Sequence, residues 1–138
     1  MKKIKRMTLT KAKKRANIAF SIYIRTRDMQ NCPMEGKVYC FTCDKPYPAF
    51  GVGCAQAGHF IPGRHSSVLY DERNAHGQCY NCNINLKGNW VKYEAKILKV
   101  YGQAVIDELK ELDKFNPHYK VEDYLRIEEE FKNKLKYL

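Results

Sequence analysis

No stretch of this chain approaches the roughly eighteen consecutive apolar residues of a membrane-spanning helix. Its basic opening, Met1 to Arg6, is followed by no continuous apolar segment and so does not read as a secretory signal. An intracellular, cytoplasmic location is therefore expected. Internal repeats and low-complexity tracts are also missing, which excludes solenoids and linker-like chains. Acidic residues are scarce: 15 Asp and Glu stand against 25 Lys and Arg, for a formal charge of +10 and a pI near 9.3. An excess of that size points to a polyanionic partner, nucleic acid before a membrane surface. At 138 residues the chain is expected to form one compact domain with a real core.

Cysteine is present in a pattern. Cys40-Phe41-Thr42-Cys43 and Cys79-Tyr80-Asn81-Cys82 are two Cys-x-x-Cys pairs separated by 35 residues. In a reducing compartment such pairs are metal ligands before they are disulfides. Zinc-ribbon pairs are usually about 15–20 residues apart, so the longer gap leaves room for an inserted β-hairpin. Zn²⁺ would staple the base of that hairpin to the start of a helix. Four thiolates close its tetrahedral shell, which makes the ion structural and lowers the net charge to about +8. Cys32 and Cys54 read as buried or incidental thiols.

In chain order, residues 1–9 form a basic, flexible lead. A helix over 10–29 is predicted from Ala12, Ala16, Ala19, Phe20, Tyr23 and Ile24, with Thr10 as its N-cap. After a loop at 31–36 and a short strand at 37–39, residues 51–61 read as a strand. On it His59 shares a face with Ala55, Ala57 and Ile61, while Cys54, Gln56, Gly58 and Phe60 point the other way. Pro62 and Gly63 end that strand, and a loop carries Arg64 and His65. Val68 to Tyr70 read as a second short strand, and Asp71 to Asn74 as a turn. The second cysteine pair is expected to run straight into a helix from Asn83, placing Asn83, Lys87 and Trp90 along one side and stopping at Gly102. Further helices are predicted over 103–113 and 121–137.

With the zinc shell closed, any catalysis needs a second metal and a base. Asn83 offers an oxygen suited to Mg²⁺ or Mn²⁺, and His59 offers an imidazole. Bringing the two together over a phosphate is a one-metal route to phosphodiester hydrolysis: histidine takes a proton from water, and the ion offsets charge on the leaving oxygen. Taken singly, His59 is as readily structural, and Asn83 as readily a helix cap. Arg64 and Lys87 are candidates for phosphate contact. Tyr23, Tyr80 and Trp90 fit core packing better than base stacking.

The combination Gly58-His59-Phe60-Ile61-Pro62, Asp71-Glu72-Arg73-Asn74, His76-Gly77-Gln78-Cys79-Tyr80-Asn81-Cys82-Asn83 and Lys87-Gly88-Asn89 resembles the NinG/Rap family of phage recombination endonucleases. Phe20 to Asp28 resembles that family's segment ahead of its first knuckle. More broadly the chain is similar to the HNH, or ββα-metal, nucleases of endonuclease VII type. The resemblance implies an α+β fold: a zinc-stapled ββα core over 37–101, an N-terminal helix and C-terminal helices over 103–138. It implies His59 as general base and Asn74 as the residue bracing the hairpin loop. It also implies Asn83 as ligand of a catalytic Mg²⁺ or Mn²⁺, and Cys40, Cys43, Cys79 and Cys82 as the structural zinc set. The substrate it implies is branched recombination DNA, Holliday junctions or D-loops, inside a phage-infected bacterial cell. A homodimer would give such an enzyme two sites. One position departs from the pattern: many HNH enzymes carry an aspartate ligand immediately before the histidine, and here Gly58 stands there. His65, Asn89 and Asp71 are the weak candidates for a replacement ligand. A non-catalytic, zinc-stabilised DNA-binding module needs the cysteines and the charge but not His59. A protein-assembly factor needs neither the histidine nor the basic excess.

Overall fold

The computed structural model describes residues 6–138; residues 1–5, most of the expected basic lead, lie outside the described part. Helix α1 spans Leu9–Gln30. Its N-cap is Thr8, whose side-chain oxygen accepts from the Lys11 N–H at 3.2 Å, two residues ahead of the expected Thr10. Ala12, Ala16, Ala19, Phe20, Tyr23 and Ile24 form its buried stripe. The alanines let a partner helix approach closely, and that partner is α4, Val121–Leu135, which buries Tyr124 and Phe131 against them. The two ends of the described chain are thus packed together.

Between them lie two small antiparallel sheets. Strands β1 (Lys37–Tyr39) and β2 (Pro46–Pro48) pair beside the first cysteine turn. Strands β3 (Gln56–His59) and β4 (Ala75–Gln78) form the second hairpin, with Gln56 opposite Gln78, Gly58 opposite His76 and His59 opposite Ala75. The expected strand over 51–61 is therefore only four residues long. Gly51 and Gly53 take left-handed φ values of +91° and +69°, which turns the chain ahead of it. The expected strand at 68–70 is a turn, and its place is taken by β4. All four residues of β4 are buried, polar ones included, so no period-two alternation marks it in the sequence.

The hairpin is covered on both faces. One face, with Ala57, His59 and Ala75, packs on Phe20 and Tyr23 of α1. The other, with Gln56, Gly58, His76 and Gln78, meets Phe41 and the helix α2, Trp90–Tyr101. The outer edge of β4 is closed by side chains. Arg27 donates to the carbonyls of Glu72 at 2.8 Å and Ala75 at 2.7 Å, and Asp28 accepts the Gly77 N–H at 2.7 Å. The Phe41 N–H donates to the Gly77 carbonyl at 2.9 Å. An edge so satisfied offers no template for a further strand.

The continuous helix expected from Asn83 is not formed. Asn81–Asn85 make one wide π-type turn, then Lys87, Gly88 and Asn89 all adopt left-handed φ values of 51°, 92° and 48°, and α2 starts only at Trp90. Asn83, Lys87 and Trp90 accordingly share no helix face. Tyr93 and Ile97 of α2, with Ile106 and Leu109 of α3 (Gln103–Leu112), enclose Phe60 and Val68 in a second core. Gly102 stops α2 as expected, at φ 91°. No helix among the described residues is long and apolar enough to cross a membrane.

Candidate functional site

The β1–β2 turn and the end of β4 bring four sulfurs together. The Sγ atoms of Cys40, Cys43, Cys79 and Cys82 all lie within 4.8 Å of one another, and Cys43 Sγ is 3.9 Å from Cys79 Sγ. Tetrahedral zinc at about 2.3 Å from each sulfur implies sulfur–sulfur separations of about 3.8 Å, so the cluster has the size of such a shell. Its charge tells the same story. Burial pushes the Cys40 thiol up, but backbone N–H groups at Cys79, Cys43 and Thr42 and the Thr42 hydroxyl pull it down to about 6. Cys43 is pushed up to about 12, by burial first and then by the neighbouring Cys40 and Cys79 sulfurs, against a backbone N–H at Lys45. Crowded sulfurs oppose one another's ionisation, a cost that a bound cation would relieve.

His59 ends β3 with its ring stacked on Phe20 at 5.7 Å and Nε2 2.9 Å from the Leu69 carbonyl. A carbonyl only accepts, so Nε2 carries the proton and Nδ1 keeps its lone pair. Burial lowers the histidine pKa, with the Leu69 carbonyl opposing part of that effect. The imidazole is therefore neutral at pH 7, the form a proton acceptor needs.

Asn74, fully buried, spans the loop that holds Leu69 in place. Its Oδ1 accepts the Ile61 N–H at 2.9 Å, and its Nδ2 donates to the carbonyls of Ile61 at 2.9 Å and Val68 at 3.3 Å. Its own carbonyl accepts the Phe60 N–H at 2.8 Å. One side chain thus fixes both the exit of β3 and the segment carrying the His59 acceptor.

Asn83 lies elsewhere. Its Nδ2 donates to Gln56 Oε1 at 2.7 Å, which leaves its own Oδ1 lone pairs free of that bond. Gln56 is on the face of β3 opposite His59, so the imidazole and the Asn83 amide stand on opposite faces of the hairpin. The outward direction expected of Gln56 thus carries it to Asn83, a contact that the sequence does not announce. Gly58 has a physical explanation. A Cβ built there would lie 2.0 Å from Gln78 Oε1, so the Gln78 amide fills the space a side chain at 58 would take. Gln78 is fixed by donating to Thr42 Oγ1 at 3.1 Å and to the Gly88 carbonyl at 2.9 Å, leaving Oε1 buried without a partner.

The weaker candidates scatter. His65 faces a separate cleft with Lys13, His118 and Tyr119. Asp71 is tied to Arg73 at 2.9 Å, and Asn89 donates to Cys82 Sγ at 3.6 Å. Asp71 and Asn89 thus have partners of their own, and none of the three hydrogen-bonds Asn83. Arg64 and Lys87 are exposed. Lys87 borders, with His59, Ile61, Pro62, Trp90 and Lys110, an open cleft of about 370 Å³ that does not include Asn83. The expectation that Tyr80 and Trp90 pack in the core fails: they are 57% and 61% exposed, whereas Tyr23 is buried. His76, which the sequence offers only as part of the second cysteine motif, has a structural role. Tyr93 donates its hydroxyl proton to the Gly58 carbonyl at 2.7 Å, so His76 Nδ1, 3.1 Å away, is the donor to Tyr93 oxygen, and Nε2 accepts from Tyr101 at 2.8 Å. Two tyrosines eight residues apart on one helix stripe were the signal for a buried polar partner.

A family model described as Bacteriophage Lambda NinG protein matches residues 1–138. Protein ninG of Escherichia phage 933W is 32% identical over 125 residues, covering 89% of this chain and 56% of that relative. Protein ninG of Salmonella phage P22 is 32% identical over 124 residues, with 89% and 55% covered. The counterpart in Escherichia phage lambda is 31% identical over 125 residues, again with 89% and 55% covered. The chain spans about half the length of these relatives. No solved structure matches it.

Proposed function

The chain belongs to the NinG family of bacteriophage proteins, and on that premise we propose that it is a metal-dependent DNA endonuclease of HNH type, acting on branched recombination intermediates in the infected cell. The observation that carries the reading is His59: a neutral imidazole, its tautomer set by the Leu69 carbonyl, at the border of a lysine-lined cleft. His59 Nδ1 takes the proton of the attacking water. Asn74 keeps the loop, and through Leu69 the ring, in register. Lys87 and Arg64 supply positive charge to the phosphate. Asn83 Oδ1, across the hairpin from His59, would be a protein ligand for Mg²⁺ or Mn²⁺, an ion that in this chemistry would offset charge on the leaving oxygen. Gln78 fills the place of a side chain at 58, so the chain offers no ligand there and water and substrate phosphate would have to supply the rest. The four cysteines hold a structural Zn²⁺. Two copies would allow paired cuts across a junction.

A second reading, a zinc-stabilised DNA-binding protein without catalysis, is favoured by the placement of His59 and Asn83 on opposite faces of the hairpin. Nicking of a four-way junction and of linear duplex, with Mg²⁺ or Mn²⁺, separates the two. His59→Ala is expected to slow cleavage by about 10²–10⁴-fold while DNA affinity and one zinc per chain survive. Unchanged cleavage in that variant discards His59 as the base; no cleavage by the wild-type chain leaves the binding module. Since burial depresses the His59 pKa, the acid limb of the rate profile should fall below pH 6.5.

A further inference from the structure

Trp90 is the only tryptophan in the chain, and 61% of it is exposed. It is the first residue of α2, and the three left-handed residues before it, Lys87 to Asn89, restart the helix so that the indole faces outward. Side chains other than Asn and Asp rarely adopt that backbone, and Lys87 does so here. Such a turn persists only when its surroundings fix it. The Gly88 N–H donates to the Cys82 carbonyl at 2.9 Å, and the Gly88 carbonyl accepts from Gln78 at 2.9 Å. The Tyr93 N–H donates to the Asn89 carbonyl at 3.0 Å. The indole therefore stands on a platform tied to the cysteine turn.

That platform forms one wall of the His59 cleft. The other walls are apolar at Phe60, Ile61 and Pro62 and basic at Lys87 and Lys110. The only carboxylate lining it, Glu94, is held by Lys110 at 3.3 Å. An exposed indole between lysines suits a nucleobase flanked by phosphates. In continuous duplex both faces of every internal base are already stacked. Only an unpaired or strand-exchanging base has a face to give.

Resting on the endonuclease reading above, we propose that Trp90 stacks on an unpaired nucleobase next to the phosphate facing His59. Lys87 and Lys110 contact the flanking phosphates, and the indole sets the preference for interrupted or branched DNA over continuous duplex.

Because Trp90 is the sole tryptophan, its emission reports on this event alone. The full chain carrying His59→Ala, in which cleavage is expected to be slow, is titrated without added Mg²⁺ or Mn²⁺ with a fluorescein-labelled duplex bearing a three-nucleotide gap and with continuous duplex of equal length. Anisotropy reports occupancy. At equal occupancy the gapped DNA is expected to quench the indole by half or more and the continuous duplex by little. In the otherwise unaltered chain, Trp90→Ala should weaken binding of gapped DNA about tenfold and leave duplex binding within about twofold, with Trp90→Phe recovering part of the loss. Equal quenching by both DNAs, no quenching by bound gapped DNA, or unchanged affinity in folded Trp90→Ala overturns the stacking role while leaving the endonuclease reading intact. Failure of the unaltered chain to bind any DNA overturns both.

Discussion

Four sulfurs from two turns come within 4.8 Å of one another, whereas His59 and Asn83, drawn from the same hairpin and the same second turn, end on opposite faces of it. The cysteine cluster is complete in itself but for one ion. Every ligand is in the chain, and burial makes separated thiolates untenable, so the fold closes around it. The histidine cleft is open, and what would join its parts is a phosphate and a hydrated ion that the chain does not carry. A closed site is specified by its residues; an open one is specified only up to the space left for its substrate.

Breaking the closed site should have the largest effect. Cys82→Ser removes one of four ligands, and structural zinc accounts for much of the folding free energy in small metal-bound domains. The variant is expected to lose its zinc and its cooperative unfolding transition, read by metal analysis and circular dichroism. A folded, zinc-free variant would reduce the cluster to chance proximity.

Asn74→Ala tests whether the open site is as dependent on its brace. The substitution strands the Ile61 N–H and the carbonyls of Ile61 and Val68 in the interior. A loss of about 2–4 kcal/mol in urea unfolding is expected, together with a fall in any cleavage rate larger than the stability loss explains. Stability within about 0.5 kcal/mol of wild type would show that the loop holds its shape without it.

Gly58→Ala probes the seam between the two regions, since the added methyl collides with the Gln78 amide. Overpacking of this kind costs about 1–3 kcal/mol. Adding Gln78→Ala should return part of it; strictly additive losses would mean that the two positions do not compete for one space.

The smallest effect is a pH slope. His76 is pushed down to about 3, by burial first and then by the Arg27 and Lys96 charges, so it stays neutral in the native state while the unfolded chain protonates near 6.5. Between those values the unfolded state binds more protons, and stability falls as the pH falls. The slope from this group is at most about 1.4 kcal/mol per pH unit. Cysteine protonation acts in the same direction, so the comparison is with His76→Gln. Its urea midpoints should fall less steeply from pH 7 to pH 5, and parallel curves would remove His76 as a source of the slope.

What could be read from the sequence divides along the same line. The cysteine spacing announced the cluster, and alanines at three- and four-residue steps announced α1, because both patterns carry their own partners. Strand β4 was missed because its buried faces hold His76 and Gln78, polar groups whose partners Tyr93, Tyr101, Thr42 and Gly88 come from distant segments. The break at Lys87 to Asn89 was missed because Lys87 has no propensity for the left-handed conformation that the cysteine turn imposes on it. Trp90 reads as a core residue of a helix begun at Asn83, because a pattern of apolar positions cannot tell the first residue of one helix from the eighth residue of a longer one.

The α1–α4 pairing also has a consequence in time. The ring on which His59 stacks, Phe20, itself packs edge-on against Phe131 at 4.8 Å. Synthesis runs from the amino end, so Phe131 emerges after the hairpin and its cysteines. Until α4 has left the ribosome, the hairpin and its cysteines can form while Phe20, the ring behind the imidazole, lacks its own packing partner Phe131. The growing polypeptide can thus bring its four cysteines together before the seat of His59 is complete.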